Sequence, residues 1–153
     1  MRALSTKTLI ISILVLLPIL TYSQAPSPSF TKLGKSITKR QTSDIEKARA
    51  IYDWVCDNIA YDTTHTIYTS TECLNSLTGT HLAYCELYGA LCKTIGIECN
   101  IIYGIAKDIY GNFDNNEHSG ISLEIDKDTL LIDPTWGAKG TNASQPMLSN
   151  HRD

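Results

Sequence analysis

The chain has no run of basic residues. Its 153 residues include 13 Lys and Arg against 16 Asp and Glu, which gives a formal net charge of −3. A domain that binds nucleic acid or docks on anionic lipid needs a basic patch. The composition therefore excludes both as expected partners.

The chain also lacks a C-x-x-C pair, although it has five cysteines, at positions 56, 73, 85, 92 and 99. Cys85 and Cys92 would lie two helical turns apart, roughly 10 Å, which is too far to share a zinc ion. No metal and no other cofactor is expected. The odd number leaves at least one thiol unpaired in an oxidised monomer, and the spacing does not fix which cysteines would pair.

The apolar run Leu9 to Leu20 is shorter than the roughly 20 residues of a membrane span. Arg2 and Lys7 precede it, and small residues follow at Thr21 and Ser23, the pattern of a cleaved signal peptide over residues 1–23. Cleavage would remove two basic residues and no acidic one, leaving a net charge of −5. We expect a secreted or periplasmic protein without stable membrane insertion after cleavage.

The remaining chain divides into a linker over 24–40, a domain over 41–137 and a polar tail over 138–153. Pro26, Pro28 and Ser/Thr-rich sequence without an apolar period indicate the linker. Ser43 and Glu46 form a capping box that predicts a helix to about residue 60. A short helical turn is expected over 71–77, and a second main helix over 84–95, ended by Gly96.

Three strands are predicted, over 98–106, 118–125 and 129–136, the last two joined as a hairpin. Stacking the apolar side chains requires Ile121 opposite Ile132 and Leu123 opposite Leu130. That register makes His118 and Asp133 diagonal neighbours within side-chain reach. The expected fold is α+β, with two main helices packed on an antiparallel sheet of at least three strands.

Cys85, His118 and Asp133 together have the chemistry of thiolate catalysis. A thiol in the first turn of a helix has a lowered pKa, an imidazole can move its proton, and a carboxylate can orient that imidazole. The Cys85 amide is the expected oxyanion donor, and no second donor is identified. Taken singly, Cys85 is as well explained as a core residue, and His65, His81 and His151 lie in polar segments without an assigned role.

These segments resemble the transglutaminase-like superfamily, whose core is a papain-like cysteine protease fold. The resemblance covers about residues 36–137 and is carried by four segments: Ser43 to Asp62, Cys85-Glu86-Leu87-Tyr88, Gly96-Ile97-Glu98-Cys99, and His118 followed by Asp133-Pro134-Thr135-Trp136. It implies Cys85, His118 and Asp133 as the catalytic triad.

The chain departs from the family pattern at two positions and at its end. Ala83 stands where the family often has Gly, two residues before the cysteine, and Gly120 stands where an aromatic residue usually follows the histidine. The polar tail takes the place of further strands that members commonly have. These differences bear on substrate binding and on the stability of the sheet.

We therefore expect an exported cysteine enzyme that acts on peptide or side-chain amide bonds of a protein or peptide substrate, through a Cys85 thioester. Hydrolysis is favoured over cross-linking. One alternative is a catalytically inactive protein-binding module on the same fold, and another is a structural domain cross-linked by disulfides. The reactivity of a single thiol among the five would separate the enzyme from the structural domain.

Overall fold

A computed structural model of the protein describes residues 27–107, 113–138 and 149–150. The predicted signal peptide, the start of the predicted linker and most of the polar tail lie outside these residues. Within them, no helix is both long enough and apolar enough to cross a membrane.

The described residues form four helices and six strands. The helices are α1 (Pro28–Ile37), α2 (Asp44–Asn58), α3 (Ser70–Ser76) and α4 (His81–Lys93). The strands are β1 (Ala60–Tyr61), β2 (Thr78–Gly79), β3 (Cys99–Lys107), β4 (Phe113–Ile125), β5 (Asp128–Ile132) and β6 (Ser149–Asn150). Strands β1 and β2 pair in parallel, and β3, β4, β5 and β6 form an antiparallel sheet in that order.

Helix α2 begins with the predicted capping box. The Ser43 hydroxyl accepts a hydrogen bond from the Glu46 amide at 3.4 Å, and the Glu46 carboxylate accepts one from the Ser43 amide at 3.0 Å. Backbone hydrogen bonds from Ser43 and Thr42 lower the pKa of Glu46 to about 2. Reciprocal capping satisfies amides that have no partner within the helix, and the predicted helix is confirmed.

The predicted hairpin register is also confirmed. Ile121 lies opposite Ile132, and Leu123 lies opposite Leu130. The turn is shorter than expected, because Ile125 pairs directly with Asp128 and only two residues connect the strands. Those two, Asp126 and Lys127, have φ values of 55° and 73°, the left-handed conformation of a tight hairpin turn. The α+β fold class with its antiparallel sheet is thus as predicted.

Helix α4 is the centre of the core. It contacts α1, α2 and α3 on one side and β3 and β4 on the other. Its inward-facing residues are almost fully buried, and they include Tyr84, Leu87, Tyr88 and Leu91. The Tyr84 hydroxyl donates to the Ile59 carbonyl at 2.6 Å, and the Tyr88 hydroxyl donates to the Ala48 carbonyl at 3.3 Å. Both buried phenols therefore have a hydrogen-bond partner.

The linker prediction is wrong for residues 28–37, which form α1. Pro28 occupies the first turn, a position that suits proline. Phe30 and Gly34 are buried, and Leu33 and Ile37 pack against the core. A Cβ at Gly34 would collide with the Thr94 hydroxyl and lie 3.1 Å from the Leu91 carbonyl oxygen, so glycine allows α1 to approach the end of α4 closely.

This close approach predicts the sign of a substitution. In a linker or an exposed helix, Gly34→Ala would stabilise the protein or leave it unchanged, because alanine is the better helix former by about 1 kcal/mol. Packed against α4, the added methyl group forces a displacement, and we expect a net loss of about 1–3 kcal/mol in the free energy of unfolding. Urea denaturation measures it.

Ser36→Ala, at an exposed position of the same helix, is the matched control and should change stability by less than about 0.5 kcal/mol. A Gly34→Ala protein as stable as the wild type would show that α1 is not packed on α4.

Candidate active site

His118 and Asp133 are in contact, as the register predicts. His118 lies on β4, Asp133 follows β5, and the His118 Nε2 is hydrogen-bonded to Asp133 Oδ2. Both side chains are about four-fifths buried. The other carboxylate oxygen accepts hydrogen bonds from the amides of Thr135 at 2.9 Å and Trp136 at 3.1 Å. The carboxylate is therefore held on both sides and directed at the imidazole.

Helix α2 supports the turn that carries Asp133. The Tyr52 hydroxyl donates to the Asp133 carbonyl at 3.1 Å, and the Cys56 thiol donates to the Pro134 carbonyl at 3.3 Å. Burial raises the pKa of Cys56 to about 12, so it stays a thiol and can donate. A Cβ at Gly137 would collide with the Tyr52 hydroxyl, so the turn rests directly on α2.

Trp136 completes the environment of His118. The indole and imidazole rings stack with centroids 5.1 Å apart and planes 29° apart. Trp136 and His118 are both partly exposed. An imidazole held by a carboxylate at Nε2 and by an indole on its face has a fixed orientation, which acid–base chemistry or specific ligand binding requires.

Helix α4 begins at His81, three residues before the predicted start. Thr80 is its N-cap residue, and the Tyr84 amide donates to the Thr80 carbonyl at 3.0 Å. The Thr80 amide and hydroxyl both donate to the Ile67 carbonyl, at 3.1 Å and 2.8 Å. The start of α4 is therefore fixed by a contact with a distant loop.

That loop is organised by Asp62. Its carboxylate accepts hydrogen bonds from the amides of Thr64, Thr66 and Ile67 at 2.7–2.9 Å. Hydrogen bonds from the Thr64 hydroxyl and from these amides lower the pKa of Asp62 well below its ordinary value. The carboxylate thus remains charged and holds the Ile67 carbonyl where Thr80 binds it.

His81 is a site residue that the sequence interpretation left unassigned. In the first turn of α4, its ring centroid lies 5.3 Å from that of His118, and its Nδ1 lies 3.1 Å from the Ser119 hydroxyl. Burial, and next the neighbouring His118, lower the pKa of His81, while Asp133 and Glu117 oppose the shift. The Gly79-Thr80 sequence before it, a typical turn and N-cap pair, is the signal that could have identified it.

Cys85 lies one turn further along α4, not in the first turn. The residue is fully buried at 0% exposure. Burial, and next the negative charges of Asp133 and Glu86, raise the pKa of its thiol far above the ordinary value, opposite to the predicted direction. Because α4 begins at His81, the Cys85 amide is directed into the helix, which counts against its predicted role as an oxyanion donor. The nucleophilic role of Cys85 stays a prediction against which these features count.

None of the five cysteines forms a disulfide in the structure. Cys56, Cys73 and Cys92 are buried, as Cys85 is, and Cys99 is partly exposed. In the described part of the chain, no three His, Cys, Asp or Glu side chains are grouped so that they could hold a metal ion.

The described residues form an α+β domain in which a buried helix meets an antiparallel sheet, and the His118–Asp133 pair lies beside the first turn of that helix. The family model of the transglutaminase-like superfamily matches residues 31–126, more than half of the chain. The chain belongs to the transglutaminase-like superfamily.

Known relatives support the same class. Over 121 residues the chain is 25% identical to the mouse kyphoscoliosis peptidase. The alignment covers 70% of this chain and 18% of the peptidase. A solved structure titled "Putative Cysteine Protease", from Cytophaga hutchinsonii, aligns with a TM-score of 0.60 and 22% identity over 70% of this chain and 37% of its own. A solved TGase aligns with a TM-score of 0.55 and 12% identity over 82% of this chain and 34% of its own.

The chain thus spans about a fifth of the length of the peptidase it matches and about a third of these two solved chains. The two structural likenesses concern the fold. The family match supports the coarser part of the expected function, a domain of the transglutaminase-like superfamily.

The lowered pKa of His81 predicts a pH effect on stability. In the unfolded chain His81 binds a proton near pH 6.5, whereas in the folded chain it does so only at lower pH. Its contribution to the free energy of unfolding is therefore complete above about pH 7 and declines as the pH falls below 6.5. In His81→Gln this contribution is absent. We expect a smaller loss of stability between pH 7 and pH 5 in the variant than in the wild type, measured by urea denaturation. Equal pH slopes for His81→Gln and the wild type would contradict the assignment.

Proposed function

We propose that this domain is a protein- or peptide-binding module of the transglutaminase-like superfamily that does not form a thioester through Cys85. One observation carries the proposal: the first-turn position of α4 beside His118 is occupied by the imidazole of His81, while the Cys85 thiol is fully buried one turn further on. The protein or peptide expected as a substrate is then a ligand of this site.

A buried thiol is a poor nucleophile for two reasons. The thiolate is the reactive form, and the burial of Cys85 together with the negative charge of Asp133 disfavours it. A tetrahedral intermediate also needs amide donors that are free to bind its oxyanion. In α4 the free amides belong to the first turn at His81, and the Cys85 amide is not among them.

The surface beside His118 suits an extended peptide. Gly104 on β3 pairs with His118 on β4. A Cβ added at Gly104 would meet no atom within 4 Å, so the surface next to His118 is open. Strand β3 has no described neighbour on its other edge, and its side chains Ile102, Tyr103 and Ile105 are exposed. Extended peptides bind such edges through backbone hydrogen bonds and through pockets for alternate side chains.

The second candidate is the cysteine hydrolase expected from the sequence, with cross-linking as its less favoured variant. The observation that favours it is the His118–Asp133 pair, because an imidazole oriented by a buried carboxylate is the general-base half of a catalytic triad. This function requires that Cys85, which is fully buried here, become accessible to a substrate. With either function, the secreted or periplasmic location remains a proposal that rests on residues 1–23.

Thiol labelling distinguishes the two functions. The folded protein is treated with iodoacetamide between pH 5 and pH 9, and the labelled sites are mapped by mass spectrometry. We expect Cys85 to be labelled slowly or not at all below pH 7, with no change in His118→Ala. Selective labelling of Cys85 below pH 7 that is lost in His118→Ala would overturn the binding proposal and support the hydrolase.

A substitution at His81 tests the geometry directly. His81→Cys places a thiol in the first turn of α4, beside His118, where a low thiol pKa is expected. We expect this thiol to be alkylated at pH 6 about tenfold faster than an exposed reference thiol, which corresponds to about one pKa unit. The rate should fall to the reference value when His118→Ala is added.

Glu86→Cys provides the reference, because residue 86 is exposed on the same helix. Equal rates for the two introduced thiols would show that the first turn does not activate a nucleophile.

A further inference from the structure

Two of the five thiols lie side by side, far from His118. Cys92 is in the last turn of α4, and Cys99 is the first residue of β3. Cys99 packs on the end of α4, because its Cβ lies 4.0 Å from the position that a Cβ at Gly89 would take. Gly89 stands one turn before Cys92 on the same face of the helix. The connection between them turns at Gly96, whose φ of 83° is a conformation that glycine adopts without strain.

The two cysteines differ in exposure and acidity. Cys99 is partly exposed, whereas Cys92 is fully buried. The hydrogen bond with Cys92 lowers the pKa of Cys99, and the same bond together with burial raises the pKa of Cys92. Such an arrangement has one accessible thiol that reacts first and one enclosed thiol that completes the exchange.

The other three thiols occupy separate places in the described structure. Cys56 donates to the Pro134 carbonyl, Cys73 abuts Gly79, and Cys85 lies on the face of α4 that extends from His81. The odd number of cysteines is then accounted for by one pair and three single thiols.

We propose that Cys92 and Cys99 are an intramolecular disulfide site, which forms when the folded protein meets a small-molecule disulfide such as oxidised glutathione. The Cys99 thiolate attacks one sulfur of the glutathione disulfide, forms a mixed disulfide and releases one glutathione thiolate, which takes up the proton lost by Cys99. The Cys92 sulfur then attacks the Cys99 sulfur of the mixed disulfide, forms the Cys92–Cys99 bond and releases the second glutathione, which takes up the Cys92 proton. The two thiols are oxidised by two electrons, and one glutathione disulfide is reduced to two glutathione molecules.

The bond would join the end of α4 to the edge strand of the sheet. Because it closes a short loop, its effect on the unfolded chain is at the lower end of the range for disulfides. For a domain of this size, we expect the melting temperature to rise by about 5–10 °C on oxidation. The proposal is independent of whether the site at His118 binds or hydrolyses.

Peptide mapping tests the proposal on the wild-type protein. The protein is incubated with oxidised glutathione, its remaining thiols are blocked, and it is digested with trypsin without reduction. Lys93 lies between the two cysteines, but the tryptic peptide that ends at Lys93 also carries the other three cysteines. Chymotrypsin is therefore added, because it cuts after Tyr88 and separates Cys92 from those three. The disulfide then keeps the short peptide of Cys92 joined to the peptide of Cys99. We expect the joined peptides, a mass loss of two hydrogen atoms and the higher melting temperature.

Two variants complete the experiment. Cys99→Ser, at a partly exposed position, should lose both the joined peptides and the melting shift, while Cys73→Ser should keep both. Each readout compares the oxidised and reduced forms of one variant, so a change in basal stability does not affect the conclusion. A lasting glutathione adduct at Cys99, a bond between another pair of cysteines, or no reaction would each overturn the proposal, and the wild-type map decides even where a variant fails to fold.

Discussion

The burial of α4 is the constraint on which the rest of the structure depends. Its inward face is covered by α1, α2 and α3 and by the sheet. Tyr88 also donates a hydrogen bond to Ala48 within α2, and Tyr84 donates one to Ile59, the residue after α2. A helix in such an environment cannot rotate or slide without exposing large side chains, because protein interiors are close-packed. The packing of α4 therefore keeps His81, in its first turn, beside His118.

The sheet could be predicted well from the sequence because its side chains alternate strictly. Shifting the β4–β5 pairing by one residue would turn Ile121 and Leu123 to the solvent, so the apolar pattern leaves one register. That register brings His118 and Asp133 together although they are fifteen residues apart. A contact between distant residues is thus predictable where a hairpin of fixed register carries both.

The start of α4 and the existence of α1 could not be predicted in the same way, because tertiary contacts decide both. Thr80 is held by the Ile67 carbonyl, and the Ile67 loop is organised by Asp62. Helix α1 has a narrow apolar stripe, and its packing depends on the small size of Gly34 against Thr94. Local propensity is a weak guide where packing determines the result. An error of three residues is nearly one helical turn, enough to move Cys85 from the first turn of α4 to the second.

The acid–base half of the site is supported independently of the nucleophile. Asp133 is oriented by its own turn and by Tyr52 of α2, and His118 is oriented by Asp133 and Trp136. None of these contacts requires a thiol on α4. The positions of His118, Asp133 and Trp136 therefore do not depend on whether Cys85 reacts. The rings of His81, His118 and Trp136 lie next to one another beside the start of α4. This surface offers ring contacts and hydrogen-bonding groups even while Cys85 stays buried, and that is the condition under which the binding proposal holds.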